Sequence, residues 1–197
     1  PHTTHFSVVD AAGDAVALTT TINWWYGSGV TVSGAGFLLN NEMDDFAAKP
    51  GTENGFGLVQ GEANAVAPGK RMLSSMSPTI VSRKNAKGES EVELVLGAAG
   101  GPTIISTVFG ILSSVVDHDV DVALAVRAPR VHHQHLPDVV VFEKDGLTGA
   151  LRAALEAKGH ALKERDHIAD SPAIGRGPGG WIGVAEPRRN GAFAAGW

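Results

Sequence analysis

Several groups of residues in this chain have types and spacing that could do chemistry. Thr3 and Thr4 stand beside its start. A threonine hydroxyl is a weak nucleophile unless a base sits beside it. A free α-amine on the same residue is such a base, titrating near pH ~7.7–8.0. That mechanism demands a threonine at the true beginning of a chain. A second candidate is Gly97-Ala98-Ala99-Gly100-Gly101, which ends an apolar strand-like run and precedes a helical one. Backbone N–H groups in such a turn can hold a negative oxygen. The same glycines can equally serve a tight turn that needs their torsions. The segment is neither a phosphate-binding loop with a following Lys-Ser/Thr nor a dinucleotide fingerprint.

Asn40-Asn41-Glu42-Met43-Asp44-Asp45 packs carboxylates and amides together, which is costly unless they bind something or face water. Ser74, Ser75 and Ser77 precede Pro78, where their hydroxyls either bind a carboxylate or satisfy turn amides. His132, His133 and His135 lack a partnered carboxylate motif, and an adjacent pair cannot face one way on regular backbone, so no metal is expected there. Trp24-Trp25-Tyr26 reads as core or interface rather than a platform for stacked bases.

These groups need a scaffold, and the composition supports one. The 197 residues form one expected domain, 1–197, long enough to bury a sizeable core. The formal net charge of −5 and the lack of a basic stripe argue against a nucleic-acid partner. Only 19% of residues are charged, below the roughly 25% usual for a solvent-bathed domain. Cysteine is absent, which excludes disulfides and thiolate chemistry. No apolar run is long enough for a membrane span. Pro1-His2-Thr3-Thr4-His5 has neither an initiator Met nor a signal-peptide pattern and is expected to be a processed or truncated end.

The scaffold reads as mixed strands and helices. Phe6–Asp10 and Ala15–Ile22 form an expected hairpin turned at Gly13-Asp14. Irregular backbone follows to Phe37, with a short strand around Val30, and Lys49 to Gly69 reads as a long loop. A second hairpin joins Thr79–Ser82 to Glu91–Leu96 through Asn85-Ala86-Lys87-Gly88. Ile104, Ile105, Val108, Ile111, Leu112, Val115 and Val116 recur at helical spacing. A short helix ends before Pro129, a strand covers Asp138 to Glu143, and a helix from Leu147 to Lys158 is closed by Gly159. Short strands follow between His160 and Glu186, and Pro187 to Trp197 is expected to pack as a surface tail.

Several segments together resemble the small subunit of the gamma-glutamyltranspeptidase family. They include Thr3-Thr4-His5-Phe6-Ser7-Val8-Val9-Asp10, Asn40 through Phe46, and Gly61-Glu62-Ala63-Asn64-Ala65. Pro68-Gly69-Lys70-Arg71, Leu73-Ser74-Ser75-Met76-Ser77-Pro78-Thr79, Ala128 through Gln134 and Glu186-Pro187-Arg188-Arg189 continue the match. The resemblance implies a four-layer αββα sandwich of the N-terminal-nucleophile hydrolase type, completed by a separate large subunit cut from the same precursor. It implies that Thr3 attacks a gamma-glutamyl amide such as glutathione. The resulting ester passes to water or to an amino-acid or peptide acceptor. Thr21 would support the nucleophile, and the Gly100 and Gly101 amides would form the oxyanion hole. Asn23, Glu42 and Asp45 would meet the glutamyl α-amine and its surroundings, and Ser74 and Ser75 the α-carboxylate. A large-subunit Arg would complete that clamp. No cofactor and no metal are implied, and a periplasmic or extracellular location is.

The match has departures. Pro1 and His2 precede Thr3, and an amide at Thr3 would remove the base. Ala98-Ala99 stands where Ser-Pro is common. Pro50 to Gly61 resembles the lid of many bacterial members, with Phe56 where a Tyr is common. The rival readings are an acylase of the same superfamily, acting on glutaryl side chains or poly-gamma-glutamate, and an inactive structural homologue.

Overall fold

A computed structural model describes residues 3–196. The questions raised by Pro1 and His2 therefore lie outside the described residues, as does Trp197. The first hairpin pairs β1 (Thr3–Val9) with β2 (Ala15–Thr21) over its whole length. Its turn is pinned by Asp10, whose Oδ1 accepts from the N–H groups of Ala12 and Asp14, while Gly13 takes φ +89°.

A four-stranded antiparallel sheet lies beneath it, in the order β3 (Thr79–Lys84), β4 (Ser90–Leu96), β8 (Ala173–Gly177), β9 (Gly180–Val184). On the far side pack α1 (Thr103–Val116) and α2 (Val122–Arg127). The expected helical period is what fills that interface. Ile104, Val108 and Ile111 of α1 and Val122, Ala125 and Val126 of α2 meet Leu94, Leu96, Ala173 and Val184, all buried. Asp121 starts α2 by accepting from the N–H groups of Ala123 and Leu124, which stabilises such an end by about 1 kcal/mol.

A second, smaller unit holds β5 (Val131–His132), β6 (Val140–Glu143) and β7 (Leu162–Arg165). α3 (Gly149–Ala157) crosses over between β6 and β7, which run parallel, and Thr148 caps it. Gly159 ends the helix segment at φ +91°.

The described residues thus stack helix, sheet, sheet: three layers of the four. Burial alternates along the first hairpin. The face turned to the lower sheet carries Thr3, His5, Thr19 and Thr21. The opposite face leaves Phe6, Val8, Val16 and Leu18 with 45%, 50%, 51% and 39% exposure. Phe6 stands opposite Leu18 and Val8 opposite Val16, so the exposed residues form one apolar patch. The low charged fraction has its structural counterpart in this uncovered layer.

The strand expected around Val30 does not form. Thr31 makes a single bridge to Leu38, and Gly27, Gly29, Gly34 and Gly36 all take positive φ, which breaks an extended run. The terminal tail does pack: Ala194 lies against Gly183 of β9.

Candidate functional site

Strand register gathers residues far apart in sequence at one end of the two sheets. Thr3 opens β1 and stands directly opposite Thr21, the last residue of β2. Thr79 opens β3 opposite Leu96, the last residue of β4. That pairing sets the serines before β3 beside the glycine turn after β4. α1 then begins two residues past Gly101.

One cavity at this end is lined by Thr3, Thr21, Asn23, Glu42, Asp45, Phe56, Ser74, Ser75 and Gly101. These are nine of the ten residues that the family resemblance assigns to the site and its lid. Gly100 is the tenth and does not line it. Leu58, Leu73, Met76, Pro102 and Ile104 complete the wall with apolar surface.

Thr3 is buried, and its hydroxyl donates to Thr21 Oγ1 at 3.2 Å. Thr21 Oγ1 also accepts from Asn23 N–H at 2.8 Å. Asn23 is buried at φ +71°, a left-handed torsion that Asn tolerates better than most residues. Its Nδ2 reaches Asn41 O at 3.4 Å, while Asn41 Oδ1 accepts from Trp24 N–H at 3.1 Å. The amides beside the acidic run therefore hold its backbone in place.

Glu42 and Asp45 bound one 3-10 turn, Glu42–Asp45. Residues three apart eclipse on such a turn, so both carboxyls face the same side. Glu42 Oε1 is buried without a protein partner. Burial, then a hydrogen bond and repulsion from Asp45, pushes the Glu42 carboxyl up to about 7. Burial and the charge of Asp44 also raise Asp45 against the opposing hydrogen bond with Glu42. Among the described residues no cation pairs with either carboxyl.

Sequence reasoning missed how this pair is tied to the serines. Asn64 Nδ2 donates to Asp45 O at 2.7 Å, and Asn64 Oδ1 accepts from Leu73 N–H at 3.2 Å. One side chain thus links the carboxylate turn to the segment entering Ser74. Asn64 falls within a matching segment, but nothing local marks it as a bridge. Ser74 Oγ accepts from Met76 N–H at 3.2 Å, which orders the serine turn and keeps the hydroxyl proton available to donate.

At the glycine turn, Gly100 takes φ +154° and Gly101 φ +60°. Among the described residues, neither N–H donates to a protein acceptor. Phe56 lies over the turn: a Cβ on Gly101 would come within 3.0 Å of its ring. The Phe56 ring stacks on Trp24 at 5.4 Å and 8°. Its carbonyl accepts from Gln134 Nε2 at 3.3 Å.

The histidine run is spent on separate partners. His132 is buried between Ser106 Oγ at 2.8 Å and Gln134 Oε1 at 2.9 Å, while His133 meets Asp138 at 3.0 Å. His5 sits against Gly97 on the inner face, between Thr19 Oγ1 and Ser7 Oγ. Burial lowers it to about 4, so its ring stays neutral.

This assembly offers a buried hydroxyl, two adjacent backbone donors, an acidic pair that no cation among the described residues meets, and a serine pair able to donate. Comparison with known proteins agrees with the pattern. The sequence profile of the family described as gamma-glutamyltranspeptidase matches residues 1–196. A glutathione hydrolase proenzyme of Pseudomonas aeruginosa is 50% identical over 88% of this chain and 31% of its own length. That of Escherichia coli is 45% identical over 99% of this chain and 33% of its own length. The chain therefore spans about a third of these curated relatives. The gamma-glutamyltranspeptidase structure from Pseudomonas nitroreducens superposes with TM-score 0.86 at 46% identity, covering 98% of this chain and all of that one. With register, cavity and profile in agreement, the chain belongs to the gamma-glutamyltranspeptidase family.

Proposed function

We propose that this chain is the catalytic subunit of a gamma-glutamyl hydrolase and transferase with Thr3 as its nucleophile. The observation that carries the reading is the convergence of nine residues, from Thr3 to Gly101, on one cavity. A glutamyl group is a zwitterion with a side-chain carbonyl, and each part has a counterpart. The α-ammonium fits the acidic pair at Glu42 and Asp45. The α-carboxylate fits the hydroxyls of Ser74 and Ser75, with an arginine from a large subunit of the same precursor.

The gamma-carbonyl then lies toward Thr3 and the glycine turn. Thr3 Oγ1 attacks that carbon, and the freed proton passes to the Thr3 amine. Thr21, within hydrogen-bond reach, steadies the hydroxyl. The developing oxyanion accepts from the Gly100 and Gly101 N–H groups, and one such donor is typically worth about 100- to 1000-fold in rate. The amine returns the proton to the leaving amine, and a gamma-glutamyl ester remains on Thr3. Water releases glutamate, or an amino-acid or peptide acceptor takes the acyl group. Phe56, held over Gly101 by Trp24, acts as the cover that limits water during this interval.

Two-chain assembly is supported by the proenzyme names of the relatives and by the full-length match to one separate chain of the Pseudomonas nitroreducens structure. The uncovered apolar face of the first hairpin supports it too. The enzyme is placed in the periplasm or outside the cell, as is typical of the family.

The test is intact-mass analysis of the small chain, paired with labelling by a glutamine-like electrophile. One label per chain, on a chain beginning at Thr3, is expected. Stoichiometric labelling and normal turnover in chains that retain Pro1 and His2 would defeat the amine mechanism.

A further inference from the structure

The glycine turn has torsions that only glycine adopts freely, so something must stop it from moving. The answer lies about 70 residues away in sequence, in the loop 168–171 before β8. Ser171 is fully buried and donates from Oγ to Gly97 O at 2.7 Å. Ala99 and Asp170 exchange both backbone hydrogen bonds, at 2.8 and 2.7 Å. Ala169 presses on Gly100: a Cβ built there would come within 2.7 Å of the Ala169 Cβ. Residues 97, 99 and 100 are thus each held by one residue of the loop.

The loop is itself anchored. Arg130 Nη1 donates to Ile168 O at 2.8 Å and Ala169 O at 2.6 Å. Glu143 Oε1 accepts from Ile168 N–H at 2.8 Å, and Glu186 Oε2 from Ser171 N–H at 2.6 Å. Ala169 is kept at φ +57°, an unfavourable torsion for alanine. An alanine held there puts a methyl group against Gly100.

We propose that Ser171 and Ala169 are positioning residues for acyl transfer, fixing the Gly100 and Gly101 amides where the oxyanion forms. The inference rests on the reading of that turn as the oxyanion hole. Neither side chain lines the cavity or touches the head-group residues. Their effect therefore falls on the transition state and leaves ground-state binding alone.

The experiment uses the two-chain enzyme with the chains expressed from separate genes, so that maturation is not required. Ser171→Ala and Ala169→Gly are compared with wild type and Thr3→Ala. A chromogenic gamma-glutamyl anilide gives kcat and KM, glutamate gives an inhibition constant, and thermal melting reports folding. Both loop variants are expected to lower kcat about 10- to 100-fold. KM and the glutamate constant should stay within about twofold.

Ala169→Gly separates positioning from stability, because glycine relaxes at positive φ and should melt near wild type. It decides the matter if Ser171→Ala fails to fold. Wild-type kcat in Ala169→Gly overturns the proposal, as does a loss confined to KM. Turnover retained in Thr3→Ala would instead defeat the underlying reading.

Discussion

The buried Arg/Glu network and the acidic pair of the cavity are two clusters of charge in opposite states. Glu143, Glu186, Arg130 and Arg188 form a buried network. Glu186 Oε2 accepts from Arg130 at 2.6 Å, and its Oε1 from Arg188 at 3.0 Å. Glu143 takes both Nε and Nη2 of Arg188 at 2.9 and 2.8 Å. Each carboxylate oxygen has a donor. Glu42 and Asp45, by contrast, face one another, and among the described residues no cation pairs with them and Glu42 Oε1 has no partner. The first cluster fills every carboxylate oxygen, leaving Arg130 Nε without a partner among the described residues, and holds parts of the fold together; the second leaves a carboxyl oxygen open at the cavity, where the proposed glutamyl ammonium would sit.

The titration shifts carry opposite signs. Burial alone would raise Glu186, but the Arg130 charge and the donors from Ser171 and Arg188 bring it below its ordinary value. Its contribution to stability is present above pH ~4.5, the ordinary Glu range, and is lost as pH falls through the lowered folded value. Glu42 is raised, so its contribution is full below the ordinary range and is lost as pH rises through about 7. Acid attacks the first cluster; alkali strains the second until a cation arrives.

The largest expected effect is on stability. Glu186→Ala leaves Arg130 buried and unpaired, and Glu143→Ala leaves Arg188 and the Ile168 N–H short of an acceptor. Each should cost about 3–5 kcal/mol, read by denaturant melts of the two-chain protein. Glu42→Gln at pH 8 should cost nothing, since it removes a charge that lacks a partner. Equal losses at both sites would erase the distinction between the clusters.

The next effect is on donor binding. Asp45→Ala should weaken the gamma-glutamyl donor by about 1.5–3 kcal/mol, the usual range for a charge-assisted contact, with little change in melting. Steady-state kinetics checks it. An unchanged kcat/KM would take Asp45 out of the head-group site.

The clusters differed as much in legibility. Glu42 and Asp45 crowd within one short run, so their chemistry is visible in the string. The members of the network stand at 130, 143, 186 and 188, and only the folding of β5, β6 and the last segment brings them together. Ser171 and Asn64 were hidden for the same reason: each serves a partner distant in sequence. α1 was plain because its apolar period is local. The parallel pairing of β6 and β7 was not, because strand partners leave no mark in a single sequence. The short strand expected around Val30 failed, because the glycines on either side of it take positive torsions. The ten candidate site residues came from resemblance joined to chemistry, and the strand registers supply the physical reason that nine share a cavity.

The smallest effect is also the most specific to an unfinished charge cluster. In the free site Glu42 holds a proton up to about pH 7. A glutamyl ammonium prefers both carboxyls ionised, so at pH 6 binding must expel that proton. Glutamate binding should therefore release a fraction of a proton, approaching one at most, and affinity should fall as pH drops below about 7. The slope can reach tenfold per pH unit once the free pair is mostly protonated, because one proton then competes with one ligand. At pH 8 the release should vanish. Calorimetry in two buffers of different ionisation enthalpy measures it directly. Glu42→Gln should abolish the proton release, whereas Asp138→Asn, on the exposed His133 contact, should leave it intact. Release that persists in Glu42→Gln would assign the proton to another group and remove the acidic pair's claim to be the unfinished half of the comparison.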